Sequence, residues 1–166
     1  MQQQASADNQ SDILELERFL PYRLARAAEL VSRDFSRIYK DRTGMTRPEW
    51  RALATLGQFG EVTATFIGQH SSMHKTKVSR AVAALERRGW LVRRADETDR
   101  RVEHLALSKN GWRIYRQLIV EAKKFETDLL QALGHAASDS LDHGLHQLEK
   151  RNRARDAASA PVDAKS

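Results

Sequence analysis

The sequence predicts a mainly α-helical fold with one small β-hairpin, and three observations indicate this class. Apolar residues recur at helical spacing, and one such series, at i, i+3, i+4 and i+7, is Val78, Ala81, Val82 and Leu85. The segment from Trp90 to Leu107 instead has the character of two short strands joined by a charged turn. A chain of 166 residues can bury one proper core, so we expect one domain per subunit.

A first long helix is predicted to start at Pro21, whose fixed φ suits a first helical turn, and to end before Gly44. Leu14 and Phe19 are expected in a short turn ahead of it. The apolar stripe of this helix comprises Leu24, Ala27, Ala28, Val31, Phe35 and Ile38.

Two shorter helices are predicted next. Thr46 and Glu49 have the spacing of a capping box, with Pro48 in the first turn, and this indicates a helix from about residue 47 to 58. Thr63 is a candidate N-cap for a short helix that ends near His70. This short helix fits the supporting helix of a helix-turn-helix.

The helix that follows has an apolar face, described above, and a polar face that can reach DNA. About 100° per residue places Thr76, Arg80, Ala83 and Arg87 opposite the apolar series, with Lys77 and Ser79 beside them. Arginine can bind the O6/N7 edge of guanine, and a small alanine allows a helix to lie deep in a major groove. Gly89 is expected to end this helix.

A charged hairpin follows the basic helix. Strands are predicted from Trp90 to Arg94 and from Val102 to Leu107, with Leu105 and Leu107 on one face. Five of the seven residues from Ala95 to Arg101 are charged, which suits contact with phosphates or a minor groove. A merely solvated turn is the alternative, but the adjoining basic helix favours a winged helix-turn-helix that binds DNA.

Two further helices are predicted at the C-terminal end. Ser108 is a candidate N-cap for a long helix with the apolar residues Trp112, Tyr115, Leu118, Ile119, Ala122, Phe125, Leu129, Ala132 and Leu133. A final helix, roughly 138–150, has Leu141, Leu145 and Leu148 at i, i+4 and i+7. Apolar spacing alone does not separate a monomeric core from a dimer interface, although the wide stripe of the long helix favours a dimer.

Over roughly residues 13 to 150 the chain resembles the MarR family of winged-helix transcription regulators. The family's wing signature, Asp-x-Arg followed by Leu-x-Leu-Thr-x-x-Gly, is matched by Asp99, Arg101, Leu105, Leu107, Ser108 and Gly111, with serine in place of threonine. The resemblance implies that Arg101 enters the minor groove and that Asp99 holds the wing or its arginine partner. It also implies an obligate dimer built from the first and last helices. The stretch from Leu20 to Trp50, together with His74 to Arg80, is similar to the branch that controls the catabolism of aromatic acids.

These predictions define an organisation and a DNA-binding surface. We expect disordered tails at 1–11 and 151–166 around a domain at 12–150, with a winged core at about 46–108 and dimerisation helices at about 13–43 and 108–150. The expected partners are double-stranded DNA, a second copy of the chain and a small-molecule effector, with no membrane. The predicted DNA-contacting residues are Lys75, Thr76, Lys77, Ser79, Arg80, Arg94, Asp99, Arg100 and Arg101.

The expected function is that of a homodimeric repressor released from a pseudo-palindromic operator by a small aromatic carboxylate. An aromatic acyl-coenzyme A thioester is the alternative effector, and a helical interaction module without specific DNA binding is the alternative function. The family implies an effector cleft between the dimer helices and the winged domain. Here its candidate residues are Tyr22, Arg23, Arg26, Trp50, Arg51 and His70. For each, the competing interpretation is structural: a core tryptophan, or arginines exposed to solvent.

Composition narrows the function further. The net charge of +6 suits a polyanionic partner, and the absence of cysteine excludes sensing through a thiolate. A zinc site is one interpretation of His143 and His146, with His135 before them. An exposed helix with polar histidines is the preferred interpretation, so no metal or cofactor is expected. The sequence has no Gly-rich phosphate loop or evident nucleophile, so we expect no enzyme. It also has no apolar run of membrane-spanning length and no signal peptide, so we expect a cytoplasmic protein.

Overall fold

The computed structural model describes residues 13–159, and the side chains of residues 13–154. Within that range it has six helices and a three-stranded antiparallel sheet, which confirms the predicted fold class. In chain order the elements are α1 (Leu20–Thr43), α2 (Arg47–Phe59), β1 (Val62–Thr63), α3 (Ala64–His70), α4 (Lys75–Arg87), β2 (Leu91–Ala95), β3 (Glu103–Leu107), α5 (Lys109–Leu133) and α6 (His135–Ser159).

Helix α1 has the predicted extent. Pro21 lies in its first turn, after a turn in which the Phe19 N–H donates to the Glu15 carbonyl at 3.1 Å. The helix ends at Gly44, whose φ of +68° favours glycine and whose N–H donates to the Lys40 carbonyl at 2.7 Å.

The two helices that support α4 begin at the residues that the sequence indicates. At the start of α2, the Glu49 carboxylate accepts a hydrogen bond from the Thr46 N–H at 3.4 Å. At the start of α3, the Thr63 hydroxyl accepts one from the Phe66 N–H at 3.2 Å. Both contacts satisfy backbone donors that have no partner inside a helix.

The sheet order is β1-β3-β2. In the predicted hairpin, Leu91 pairs with Leu107 and Arg94 pairs with His104. Strand β1 was not predicted, because two residues are too few to show a period of two, and it places Val62 opposite Leu105. The buried Leu105 and Leu107 join the sheet to the helical core.

The chain divides into two compact units. The first extends to Ile119 and has a core built from α1, α2, α3, α4, the sheet and the start of α5. Its fully buried large side chains are Tyr39, Met45, Leu53, Leu56, Ile67, Val82, Leu85, Leu105 and Leu118. The second unit begins at Val120 and contains the rest of α5 and α6.

The last helix is longer than predicted. Instead of spanning roughly 138–150, α6 begins at His135, directly after Gly134, and extends to Ser159. Residues 151–159, which belong to the tail that the sequence predicts to be disordered, continue this helix in a stretch rich in alanine and arginine. The predicted tail at 1–11 and residues 160–166 lie outside the described residues.

Candidate nucleic-acid interface

Helix α4 presents one apolar and one polar face, as its sequence predicts. Val78, Ala81, Val82 and Leu85 are all buried in the core. Thr76, Ser79 and Arg80 are exposed on the other side, and Ala83 is half-buried. The hydrophobic effect therefore fixes which face of α4 remains available to a partner.

Within the part of the chain that the structure describes, the cations in the first two turns of α4 are free of acidic partners. Among the described residues, Lys75, Lys77 and Arg80 form no ion pair. In contrast, Arg93 after the helix is paired with carboxylates on both sides. Unpaired cations on one exposed helix face are suited to phosphates or base edges.

The turn that joins β2 to β3, residues 96–102, is the wing tip, and it is organised around Asp96. Its carboxylate accepts hydrogen bonds from the Thr98 hydroxyl at 2.6 Å, the Thr98 N–H at 2.8 Å and the Asp99 N–H at 3.0 Å. His104 Nε2 lies 2.8 Å from the same carboxylate. The Thr98 hydroxyl, the Asp99 N–H and His104 hold the pKa of Asp96 well below its usual range, so the group remains a charged acceptor.

Asp99 and Arg101 are joined within this tip. The Asp99 carboxylate accepts a hydrogen bond from the backbone N–H of Arg101 at 2.9 Å. The side chains of Arg100 and Arg101 are exposed and have no acidic partner among the described residues. The tip thus presents two arginines from a backbone that is fixed by two aspartates.

Sequence reasoning missed Arg93, which fixes the hairpin to α4. Its Nε lies 3.0 Å from both carboxylate oxygens of Glu86 in α4, and its Nη1 lies 2.7 Å from the Glu103 carboxylate in β3. The hydrogen bonds that the guanidinium donates to Glu103 and Glu86 raise the pKa of Arg93. The available signal was the hairpin register, which places Glu103 diagonally across from Arg93.

Arg94, a predicted DNA contact, also has an acidic neighbour. Its guanidinium lies 3.4 Å from the Glu61 carboxylate. The Arg94 side chain is 70% exposed, so this ion pair is weak and can be exchanged for a phosphate.

The structure brings three of the six predicted effector residues together. Tyr22, Arg23 and Arg26, from the first turns of α1, line an open cleft of about 270 Å³ with Glu17, Ala27 and Leu30. The cleft combines an aromatic ring with two guanidinium groups, which is the chemistry that an aromatic carboxylate requires.

Trp50, Arg51 and His70 lie apart from this cleft. Trp50 packs in the core of the first unit, stacked on Tyr39 at 5.6 Å and edge-on to Phe35 at 5.2 Å between ring centroids. Arg51 donates to the Ser71 carbonyl at 3.3 Å and lines a separate polar cleft of about 210 Å³ with His74 and Lys77. His70 contacts Phe59 and Phe66 on the surface.

Within the described part of the chain, no three histidine, aspartate or glutamate side chains are placed to hold a metal ion together. No helix in residues 13–159 has the length and hydropathy needed to cross a bilayer.

A basic helix exposed beside a preformed, arginine-bearing hairpin defines a winged-helix DNA-binding protein. A model of the MarR family matches residues 43–102, from the end of α1 into the wing. The chain is 30% identical to the MarR family transcriptional regulator SPO1453 of Silicibacter pomeroyi, whose structure superposes with a TM-score of 0.70 over 82% of this chain and 99% of that one. The chain therefore belongs to the MarR family of transcriptional regulators.

The chain is 25% identical to the uncharacterized HTH-type transcriptional regulator YwoH of Bacillus subtilis, over 76% of this chain and 90% of that protein. Its fold is similar to that of Bordetella bronchiseptica BpsR, whose DNA binding is regulated by 6-hydroxynicotinic acid, with a TM-score of 0.73, 17% identity, and coverage of 82% of this chain and 97% of that one.

Proposed function

We propose that this protein is a homodimeric repressor that binds a pseudo-palindromic operator in the cytoplasm and is released by a small aromatic carboxylate. One observation supports the DNA-binding part of the proposal. Cations without acidic partners on α4 occur together with arginines on a wing tip whose backbone is held by its own hydrogen bonds. An aromatic acid as effector in turn favours a role in controlling the catabolism of such acids.

Each side chain of this surface has a chemical role in the proposal. Helix α4 lies in the major groove, where Arg80 reads a base edge and Lys75, Thr76, Lys77 and Ser79 contact bases or phosphates. Arg101 enters the minor groove, and Asp99 holds its backbone. Two further arginines of the wing, Arg94 and Arg100, bind phosphates.

Exposed apolar side chains support a dimer. On α1 they include Leu20 at 57%, Leu30 at 40% and Val31 at 38% exposure. In the second unit, Val120, Leu130, Leu133, Leu141 and Leu145 are exposed as well. A second copy that covers these surfaces removes apolar area from water, and a two-fold axis places two α4 helices about 34 Å apart, or about 10 base pairs.

The cleft at the start of α1 supports the choice of effector. Arg23 and Arg26 can hold a carboxylate through charge-assisted hydrogen bonds, while the ring of Tyr22 packs on an aromatic ring. BpsR, which shares the fold, responds to an aromatic acid. A ligand at α1 releases DNA only if it prefers the subunit arrangement that does not fit the operator, and 100-fold release requires about 2.7 kcal/mol of such preference.

The first test is selection of a binding site from random DNA. The purified protein is incubated with a random-sequence duplex pool, and the retained sequences are determined. We expect an inverted repeat with centres about 10 base pairs apart and an affinity that falls steeply with salt. Retention without a consensus, or an affinity independent of salt, would contradict the proposal.

The second test identifies the effector class. Thermal unfolding is measured with 6-hydroxynicotinate, benzoate and benzoyl-coenzyme A, since a ligand of the native state raises its stability by RT ln(1 + [L]/Kd). Stabilisation by a free acid that is lost in Arg23→Ala and Arg26→Ala supports the cleft. Stabilisation by the thioester alone would indicate that the effector is the coenzyme A thioester and not the free acid.

A further inference from the structure

Arg88 directly follows the recognition helix α4, yet its guanidinium contacts the far end of α1. Its Nη1 donates to the Thr43 carbonyl at 2.5 Å, and its Nη2 donates to the Gly44 carbonyl at 3.2 Å. These carbonyls lie at the C-terminal end of α1, where backbone acceptors lack helical partners and carry partial negative charge. One arginine therefore supplies hydrogen-bond donors to the carbonyl groups at the end of a helix that is 45 residues away in the sequence.

The same guanidinium reaches two more elements. Nη2 lies 3.4 Å from the carboxylate of Glu49, which belongs to the capping box of α2 and is only 11% exposed. The guanidinium carbon lies 5.0 Å from the centroid of the Trp90 ring, immediately before β2. Arg88 thus joins α1, α2, α4 and the base of the wing.

Trp90 connects Arg88 and α4 to the base of the wing. Its N–H donates to the Leu85 carbonyl of α4 at 2.9 Å, and its carbonyl accepts from the Ser108 N–H, at the end of the hairpin, at 3.0 Å. The indole lies under the Arg88 guanidinium, so the residue that directly precedes β2 contacts both Arg88 and α4.

We propose that Arg88 is a positioning residue for DNA recognition, which fixes the angle of the recognition helix and wing relative to α1. The inference rests on the proposed function, because the proposed effector cleft lies at the opposite end of α1, which at 1.5 Å per residue is about 36 Å long. A displacement of this rigid helix reaches α4 and the wing through the Arg88 contacts. The planar guanidinium suits this position, since its two Nη atoms donate to the two carbonyls in a fixed geometry while its plane lies over the indole, and a lysine ammonium has no such plane.

The test uses the full chain and a duplex selected from random DNA by the wild-type protein. The quantity measured is the specificity ratio, which is the affinity for the selected duplex divided by that for a scrambled duplex, well below the Tm of each variant. Arg88→Met should lower this ratio about tenfold or more, within the range of known coupling energies, and Arg88→Lys should lower it less. Arg116→Met is the matched control, because Arg116 also lies over a tryptophan, Trp112, at 5.7 Å and contacts neither Thr43 nor Gly44.

The outcomes separate the inference from the proposed function. A lower Tm with an unchanged specificity ratio in Arg88→Met would make Arg88 a purely structural residue and overturn the inference. An equal loss in Arg116→Met would do the same. If Arg88→Met does not fold, Arg88→Lys decides the question: a reduced ratio supports the inference, and a wild-type ratio overturns it. A wild-type protein that selects no sequence refutes the proposed function instead.

Discussion

Gly57 of α2 lies against the ring of Tyr115 of α5 so closely that a Cβ at position 57 would overlap the ring carbons. Alanine in a helix interior normally stabilises by up to about 1 kcal/mol relative to glycine. Here we expect Gly57→Ala to lower the free energy of unfolding by about 1 to 3 kcal/mol, because Tyr115 or the backbone of α2 must move. Urea unfolding measures the change.

Gly144→Ala is the control for this prediction. Gly144 lies within α6, and a Cβ there meets nothing within 4 Å, so the same substitution should be neutral or stabilising. Equal effects at the two positions would contradict the contact between Gly57 and Tyr115.

Arg101→Ala tests the wing. The side chain is exposed and its backbone is held through the Asp99 carboxylate, so the substitution should weaken binding of the selected duplex while leaving the fold intact. If Arg101 neutralises one phosphate equivalent, the slope of log K against log salt should fall by about 1. Fluorescence anisotropy gives the affinity, and sedimentation reports the assembly; dissociation of a dimer in the variant would assign Arg101 a different role.

Arg80→Ala tests direct reading of bases. Arg80 is exposed on the polar face of α4 and is unpaired among the described side chains. We expect a loss of about 1 to 3 kcal/mol on the selected duplex, with relaxed preference at particular base pairs. Lys77→Ala is the comparison and should weaken binding evenly across sequences; the same even loss for Arg80→Ala would reassign Arg80 to a phosphate.

Trp50→Ala separates a core role from an effector role. Because Trp50 is packed against Phe35 and Tyr39, we expect its removal to lower the free energy of unfolding by about 3 to 5 kcal/mol. Trp50→Phe should cost less, since an aromatic ring remains. A stable Trp50→Ala variant that loses the thermal shift by an aromatic acid would instead place Trp50 in the effector site.

The wing tip should loosen in acid. Folding lowers the pKa of Asp96. The stability that the ionised carboxylate gives to the wing tip is therefore complete above the ordinary carboxyl pKa of about 3.9, and it is lost as the pH falls towards the lower pKa of the folded state. NMR shifts of the Thr98 and Asp99 amide protons should therefore show no Asp96 titration between about pH 5 and 7 and change below about pH 4. Asp96→Asn should remove this acid transition; an unchanged transition in the variant would assign it to another group.

The local part of the structure was readable from the sequence. The apolar spacing of α4 and the capping residue Thr63 each depend on neighbours within one or two turns, and the structure has both. Three of the proposed effector residues, Tyr22, Arg23 and Arg26, share the first turns of α1, so helical spacing also brought them together.

The contacts that were not predicted link distant parts of the chain. Arg88 meets carbonyls 45 residues before it, and Trp50 meets Phe35 and Tyr39 only after α1 and α2 have packed. Composition could not distinguish Arg93, which is held by two glutamates, from Arg101, which is unpaired among the residues described. Strand β1 exists only because β3 supplies its hydrogen-bonding partner.

The hydrogen bonds that converge on Asp96 affect how fast and at what entropic cost DNA is bound. A loop that becomes ordered only on the duplex loses backbone entropy of about 1 to 2 kcal/mol for each residue that it fixes. Here Thr98, Asp99 and Arg101 already have hydrogen-bonded backbone amides, so much of that ordering is complete before DNA arrives. In the proposed complex, association then requires mainly the placement of two arginine side chains, and the wing can bind at a rate set by diffusion and charge rather than by loop folding.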